Sequence, residues 1–339
     1  MCLLGKIRDK SGQLGKPRPD HRISSEHGGQ QSRVGFVQYG ESEVYYSVGH
    51  RRGAGYEDMK LRESKPMVGL EEFVESVWLL EGPSHGHDWH RILPDGSIDL
   101  VFGFGDRVLR QTAAGHAVQP RASVIGHMSQ PLWLKPTGTW KTAGVRLRPE
   151  GAFAILNMNL AELSNSCVPL EGLWGRSGRQ IVEQLLDVQA PEEALRLFQG
   201  FLLKRVATTR RPHPGTVRAV REILKSRGLV SVHRLARTVG WSERTLERRF
   251  AEEVGLSPKL LSQTARFHCL LACASPERKE KWASLAWDCG FADQAHLARE
   301  VHRFSGASPM RLFDKELALA RMLLSPERLR AYLPQIDER

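Results

Sequence analysis

Residues 235–250 read LARTVGWSERTLERRF, and a second version of the same pattern, LAWDCGFADQAHLAR, occupies residues 285–299. In both versions a Leu-Ala pair is followed four residues later by a glycine and an aromatic residue. A Gly-x-Ser-Pro motif closes each version, at residues 255–258 and at residues 306–309. A repeat of this length predicts two similar helical units in tandem.

Each repeated position has a physical role in a pair of packed helices. A small residue such as Ala236 lets the second helix cross the first closely, and Gly240 suits a turn that requires positive φ. Ser242 can cap the next helix, and Leu246 and Phe250 begin an apolar stripe at helical spacing. The corresponding positions of the second unit are Ala286, Gly290, Asp293, Leu297 and Val301.

The apolar stripe predicts which side chains face outward. If the stripe packs inward, Arg244 and Arg248 lie on the outer face of the first unit, and Gln294 and Arg299 on that of the second. Arginine can donate two hydrogen bonds to guanine, and glutamine can pair with adenine in the major groove. Two such patterns in register favour a DNA-binding protein over a helical bundle with solvated charged faces.

With these motifs, residues 215–314 resemble the DNA-binding domain of the AraC/XylS family of transcription regulators. The resemblance implies seven helices, with two homeodomain-like helix-turn-helix units joined by a long helix over residues 258–274. It implies a sequence-specific transcription factor whose two recognition helices enter neighbouring major grooves. By motif position, the base-reading residues would be Arg244, Thr245, Arg248, Gln294, His296 and Arg299.

The second unit departs from the family pattern. Val301 stands where the family usually has phenylalanine, and Glu300 lies beside it. The departure predicts that the second unit packs or reads DNA more weakly, so that the first unit supplies more of the affinity.

The charge of the chain agrees with a nucleic-acid partner. The 339 residues carry a net charge of +11, and residues 214–313 hold 17 Lys and Arg against 10 Asp and Glu, a net charge of +7. A positive field on this domain favours phosphate contacts. The expected partner is double-stranded promoter DNA, and the family resemblance also allows RNA polymerase and a homodimer.

Other bulk features bear on the location of the protein. No run approaches the roughly 18–20 apolar residues of a membrane span, and the first ten residues lack the features of a secretory signal. The five cysteines are scattered and odd in number, as is typical of reduced thiols. We therefore predict a cytoplasmic, nucleoid-associated protein without a membrane partner.

The fold class predicted for the whole chain is α+β. Short strand-like runs with Gly and Pro punctuation favour a β-barrel or sandwich with trailing helices, followed by the all-α domain. The change of texture near Met59 and Met67 also allows a translation start at either. The predicted division is a disordered polar segment over 1–62, an effector or dimerisation domain over 63–207, a linker over 208–214, the DNA-binding domain over 215–314 and a helical tail over 315–339.

The region before the linker resembles an N-terminal domain that occurs in some AraC-type proteins. Trp78 and residues 91–96, 145–149 and 168–174 carry this resemblance, which implies a β-barrel sensor. The ligand of such a domain is not established. The residues that would line a small-molecule effector pocket, or alternatively fill the core, are Trp78, Trp133, Trp140 and Arg146.

Two groups of residues have the composition of metal ligands. His85, His87 and His90 could ligate a transition metal if they converge, although a loop of this kind is more often solvated. Cys269 and Cys273 are one helical turn apart and alternate with apolar residues, which favours burial in the core. The sequence thus predicts no metal and no cofactor.

Catalytic motifs are missing from the sequence. It holds no nucleophile elbow, phosphate-binding loop or paired-carboxylate pattern, so we predict that the protein is not an enzyme. The alternative is an enzyme or a metal-binding sensor barrel fused to a DNA-targeting domain. A third interpretation is an architectural DNA-binding protein that binds no ligand.

Overall fold

Strands fill the first half of the chain and helices the second, so the α+β prediction is confirmed. The computed structural model describes residues 33–39, 43–49, 59–83, 89–274, 282–314 and 317–324. The strands are β1 (Arg33–Tyr39), β2 (Glu43–Gly49), β3 (Met59–Ser64), β4 (Val74–Gly82), β5 (His90–Ile92), β6 (Ile98–Gly103), β7 (Val108–Thr112), β8 (Gly115–Val118), β9 (Ala122–Ile125), β10 (Leu132–Pro136), β11 (Trp140–Leu147) and β12 (Cys167–Pro169). The helices are α1 (Ala152–Leu156), α2 (Gly175–Asp187), α3 (Pro191–Val206), α4 (Pro214–Lys225), α5 (Val232–Thr238), α6 (Glu243–Glu253), α7 (Pro258–Cys273), α8 (Trp282–Asp288), α9 (Gln294–Ser305) and α10 (Ala318–Leu323).

The strands form two antiparallel sheets. The large sheet has the order β1-β2-β3-β4-β11-β6-β9-β12, and the small sheet has the order β5-β10-β7-β8. Along β4, Val77 and Leu79 face the core shared with α1–α3, whereas Trp78 and Leu80 face a second core. This alternation follows from the two-residue period of a strand. Residues 59–206, which include β3–β12 and α1–α3, are called the sheet domain below.

The second core is completed by α10, the last helix of the described residues. The small sheet contributes Leu132 and Leu134, and α10 contributes Leu319, Met322 and Leu323. Because α10 covers this face, the central strands β4, β11 and β6 of the large sheet are buried on both sides. The rest of the predicted helical tail, at 315–316 and 325–339, lies outside the described residues.

Strands β1 and β2 differ from the sequence-based prediction. They form an antiparallel hairpin that continues into β3, with Val34 opposite Val48, inside the segment 1–62 that we predicted to be disordered. That prediction does not hold for these strands. The only local sequence feature that indicates these strands is an apolar alternation between Val34 and Val48. The residues on either side are polar, and the sequence does not show that β2 pairs with β3.

The helices α4–α9 form the helical domain. Its helix caps and its turn glycine lie where the sequence predicts them. Ser242 accepts a hydrogen bond from the N–H of Thr245 at 3.2 Å and caps α6. Asp293 caps α9 by accepting from the N–H of His296. Gly240 has φ +72°, as the turn between α5 and α6 requires.

The predicted joining helix over 258–274 is α7, with Ala274 as its C-cap. Six α-helices and a single 3₁₀ turn at 309–311 occupy residues 214–274 and 282–314, in place of seven full helices. Among the residues that the structure describes, no helix has the length and the apolar character needed to cross a membrane.

Candidate nucleic-acid interface

The first unit presents two guanidinium groups on one exposed helix face. Arg244 and Arg248 of α6 are exposed and lie about one turn apart. Arg248 Nη1 is 3.9 Å from Glu252 Oε2, an exposed pair that contributes little and leaves the guanidinium able to exchange partners. Thr245 is half-buried, with Oγ1 3.0 Å from the capping Ser242 Oγ. The surface of α6 therefore offers donors for base edges or phosphates.

The second unit presents a different set of groups. Gln294 and Arg299 of α9 are exposed. His296 is half-buried, and its Nδ1 accepts a hydrogen bond from the Ala292 N–H at 3.2 Å while its ring lies 5.6 Å from that of Phe291. With Nδ1 accepting, the neutral ring carries its proton on Nε2. His296 thus helps to fix the start of α9, as Thr245 does for α6.

The unusual Glu300-Val301 pair of the second unit faces the interior. Val301 is fully buried, and Glu300 Oε1 accepts a hydrogen bond from Gln263 Nε2 of α7 at 3.0 Å. Arg303 Nη1 donates to the other end of the same amide, Gln263 Oε1, at 3.4 Å. Burial lowers the pKa of the nearby Arg266, and the Glu300 carboxylate partly opposes this shift. The carboxylate therefore joins α9 to α7 and does not lie on the exposed face.

The end of α6, the predicted recognition helix of the first unit, contacts the sheet domain, with which the helical domain forms one compact unit. Ser164 Oγ donates a hydrogen bond to the Gly255 carbonyl at 2.7 Å. Gly255 has φ +81°, and a Cβ at this position would lie 2.8 Å from the Leu160 carbonyl oxygen. Glycine is required here both by the backbone conformation and by the close approach.

The end of α9, the predicted recognition helix of the second unit, is held by an arginine. Arg91 of β5 is buried and donates from Nη1 to the Ser305 carbonyl at 3.0 Å, while its guanidinium lies 4.7 Å from the Trp133 ring centroid. A cation at a helix C-terminus is stabilised by the exposed carbonyls. Gly306, with φ +65°, ends α9 beside it. Both Gly-x-Ser-Pro motifs thus begin at a contact with the sheet domain.

The turn at residues 93–96 provides a third contact. Leu93 is buried in the core of the helical domain, and His268 Nε2 of α7 lies 3.3 Å from the Pro94 carbonyl oxygen. A Cβ on Gly96 would lie 3.2 Å from Leu261 of α7. A turn that the sequence marks only as a break between strands therefore packs against the joining helix.

Arg146, one of the four predicted effector-binding residues, lies in a buried ionic cluster. Its Nε is 3.3 Å from Asp99 Oδ1 and 3.4 Å from Asp95 Oδ2, and its Nη1 is 3.6 Å from Glu63 Oε1. Nη1 also donates to the Leu323 carbonyl of α10 at 3.2 Å. Burial alone would lower the pKa of Arg146, but the carboxylates of these three residues and of Glu75 raise it above its ordinary value. Arg146 is a fixed cation that joins β11 to α10.

The three tryptophans of the predicted effector site do not form one group. Trp78 and Trp140 are buried on the same face of the large sheet as Arg146 and under α10, and Trp78 Nε1 donates to Asp99 Oδ1 at 2.9 Å. Trp133 alternates with the inward-facing residues of β10 and lies on the other side, against Arg91. The structure brings together two of the tryptophans with Arg146 and separates Trp133 from them.

Two open cavities lie elsewhere in the compact unit. A cavity of about 330 Å³ is bordered by β6, β7 and β8, with Arg107 and Arg121 in its lining. A cavity of about 600 Å³ lies where α4 meets the sheet domain and contains Glu72, Glu150 and Arg218. None of the four predicted effector-binding residues lines either cavity.

The candidate histidine ligands do not form a site in the described part of the chain. His85 and His87 lie outside the described residues. His90 is buried in β5, with its ring 5.4 Å from that of Trp140. Its surroundings are those of a core residue.

A group of three cysteines was missed by the sequence analysis. Cys269 and Cys273 are on α7, as expected, and Cys289 directly follows α8; the three sulfur atoms all lie within 4.8 Å of one another. Hydrogen bonding with Cys273 and burial raise the pKa of Cys269 to about 11. Hydrogen bonding with the other two thiols and burial also raise the pKa of Cys289. Only the packing of α8 on α7 brings the third cysteine to the pair.

Two family matches cover much of the sheet domain and of the helical domain. Residues 235–315 match a family described as "Helix-turn-helix domain", and residues 62–169 match one described as "Domain of unknown function (DUF6597)". A search of curated proteins found no match.

Solved structures with a similar arrangement include ToxT from Vibrio cholerae, at 10% identity and a TM-score of 0.39, covering 70% of this chain and 97% of that chain. A ToxT structure from Vibrio cholerae O395, bound to (E)-4-(8-methylnaphthalen-1-yl)but-3-enoic acid, has 9% identity and a TM-score of 0.39, covering 70% and 98%. The AraC-like transcriptional activator CuxR has 16% identity and a TM-score of 0.27, covering 68% and 87%.

Proposed function

We propose that this chain is a DNA-binding transcription regulator with an AraC-type helical domain, in which α6 and α9 read two neighbouring major-groove segments of a promoter. The observation that carries the proposal is the equivalence of the two helices. Each begins at a side-chain cap and exposes groups suited to base edges, Arg244 and Arg248 in one and Gln294 and Arg299 in the other. A homodimer and a contact with RNA polymerase stay predictions.

Selection of bound sequences from a random DNA pool, with the purified full chain, tests this reading. Two short preferred segments are expected, separated by about one turn of DNA. Arg248→Ala is then expected to cost roughly 1–3 kcal/mol of binding free energy and to relax one base position. The matched control is Arg176→Ala on α2, an exposed arginine of the sheet domain. Equal loss on all sequences would instead make Arg248 a phosphate contact.

We further propose that a small molecule acts on DNA binding through the sheet domain. The support is a set of contacts that starts at Arg146. Asp95, which pairs with Arg146, belongs to the turn at 93–96 that packs on α7, and Arg91 joins β5 to the end of α9. A change at Arg146 is thus transmitted to the helical domain through buried, hydrogen-bonded groups, which have discrete arrangements.

The chemistry of α10 indicates what kind of molecule this is. In the structure α10 supplies three apolar side chains to the face with Trp78 and Trp140, and one carbonyl to Arg146. A molecule that takes its place needs an apolar body and one hydrogen-bond acceptor. Its binding shifts the population of states according to its preference for the protein with α10 displaced.

A thermal-shift screen of apolar carboxylates, amides and ketones, followed by fluorescence anisotropy with the selected DNA, tests the effector proposal. A compound that raises the melting temperature is expected to change DNA affinity in the wild type and in Arg107→Gln, which alters an exposed arginine of another cavity. The effect is expected to be lost in Arg146→Gln and to appear at a lower compound concentration in Met322→Ala, where the cover formed by α10 is weakened. A compound that acts equally on all four proteins would exclude this site.

A further inference from the structure

Three of the five cysteines of the chain meet at the contact between α7 and α8. Cys269 and Cys273 are one turn apart on α7, and Cys289 comes from the end of α8. Cys269 and Cys289 are each 1% exposed, and Cys273 is half-buried at the edge of the group. Helical spacing explains why Cys269 and Cys273 lie close together, whereas the third thiol belongs to a residue at the end of a separate helix.

We propose that Cys269, Cys273 and Cys289 form a binding site for one thiophilic metal or metalloid ion, such as Cu(I), Zn²⁺ or trivalent arsenic. With metal–sulfur bonds of about 2.3 Å, three sulfur atoms around an ion lie about 4.0 Å apart. The sulfur atoms are already within 4.8 Å of one another, so small side-chain shifts complete the set. The backbone of α7 and α8 can stay in place.

The donor set determines the class of ion. No histidine or carboxylate joins the three thiols in the part of the chain that the structure describes. A site with sulfur ligands alone selects soft ions and disfavours Mg²⁺, Ca²⁺ and Mn²⁺, which prefer oxygen. Arg227 lies close enough for its charge to stabilise the thiolate of Cys269. It would offset the negative charge that three thiolates leave on a divalent ion.

Binding requires no oxidant or reductant. Each thiol loses its proton as its sulfur forms a bond to the ion. For Cu(I), Zn²⁺ or Cd²⁺, three protons pass to solvent for each ion that binds, whereas with arsenite each proton joins a departing hydroxide of the arsenic and three water molecules leave. Cys273 is the most exposed of the three thiols and marks the side from which the ion enters.

The ion would join the long helix of the domain to the second unit. Helix α8 supports α9 through the turn at Gly290, where the Phe291 N–H donates to the Ala286 carbonyl at 2.8 Å. An ion at the end of α8 is therefore expected to change the DNA affinity of the second unit. This consequence rests on the proposed function, whereas the binding site itself does not.

Titration of the reduced full chain with Cd²⁺ and with arsenite tests the site. Native mass spectrometry is expected to show one ion per chain, and Cd²⁺ to give an ultraviolet sulfur-to-metal charge-transfer band. Cys273→Ser and Cys289→Ser are expected to weaken binding at least tenfold. Cys167→Ser, which changes a half-buried cysteine of the sheet domain, is the matched control and keeps full binding.

Several results would overturn the site. These are absence of a stoichiometric ion in the wild type, equal binding by Cys167→Ser and Cys273→Ser, or a disulfide within the group without ion binding. Circular dichroism reports whether the Cys289→Ser variant still folds. If it does not, the Cys273→Ser variant still tests the site, because Cys273 is less buried and its substitution disturbs the core less. Fluorescence anisotropy with labelled DNA on the same samples separates this proposal from the proposed function. If the ion-free protein does not bind DNA, the proposed function is refuted, but the number of ions bound per chain is not affected.

Discussion

The two helix-turn-helix units have the same framework but are supported in different ways. The first unit is held by the buried carboxylate of Glu253, which accepts from the His213 N–H at 2.9 Å and from Arg249 Nη1 at 2.8 Å, and by the backbone contact of Gly255 with the sheet domain. The second unit is held by a buried arginine of the sheet domain, Arg91, and by Glu300 against α7. The difference predicts that loss of one side chain, Glu253 or Arg91, loosens one unit and leaves the other in place.

The two closing glycines test this difference most directly, and Gly255→Ala carries the largest expected effect. A Cβ there adds a clash of 2.8 Å with the Leu160 carbonyl to a backbone at φ +81°, so we expect a loss of about 3 kcal/mol in the free energy of unfolding. Gly306→Ala, at φ +65° with the nearest neighbour at 3.7 Å, is expected to cost about 1 kcal/mol. Urea denaturation measures both values, and equal losses would contradict the difference in contact.

The support of the first unit can be removed with one substitution. Glu253→Ala leaves the Arg249 guanidinium and the His213 N–H without their carboxylate. Because Arg249 is partly exposed, we expect a loss of about 2 kcal/mol, less than for a fully buried ion pair. The neighbouring Glu252→Ala, which removes only the weak contact to Arg248, is expected to change stability by less than 0.5 kcal/mol. Similar losses for the two variants would show that Glu253 is not a support.

The arginine that holds the second unit carries a smaller expected effect on stability than Gly255 or Glu253. Arg91→Leu keeps the packing volume but removes a charge-assisted hydrogen bond, and we expect a loss of about 1.5 kcal/mol. Hydrogen exchange is expected to quicken at the end of α9 and to stay unchanged in α6, with Arg107→Leu as the control. Faster exchange in both helices would mean that the two units open together.

The structural features that could be predicted from the sequence are those that depend on residues close together along the chain. The caps at Ser242 and Asp293 and the turn at Gly240 follow from local backbone chemistry, so the repeat was sufficient to place them. Features that join distant residues were not predictable, because no local pattern encodes the partner. Arg146 meets a carbonyl 177 positions later, and the inward direction of Glu300 depends on Gln263 of another helix.

The cover formed by α10 has a consequence for synthesis on the ribosome. The strands it covers leave the ribosome first, and Leu319, Met322 and Leu323 follow after every other described element. Until then the nascent chain exposes the apolar face with Trp78 and Trp140, and contacts so far apart in sequence form slowly. Folding of the sheet domain is thus completed only after the DNA-binding domain has been made, which ties the maturation of the first half of the protein to the synthesis of the second.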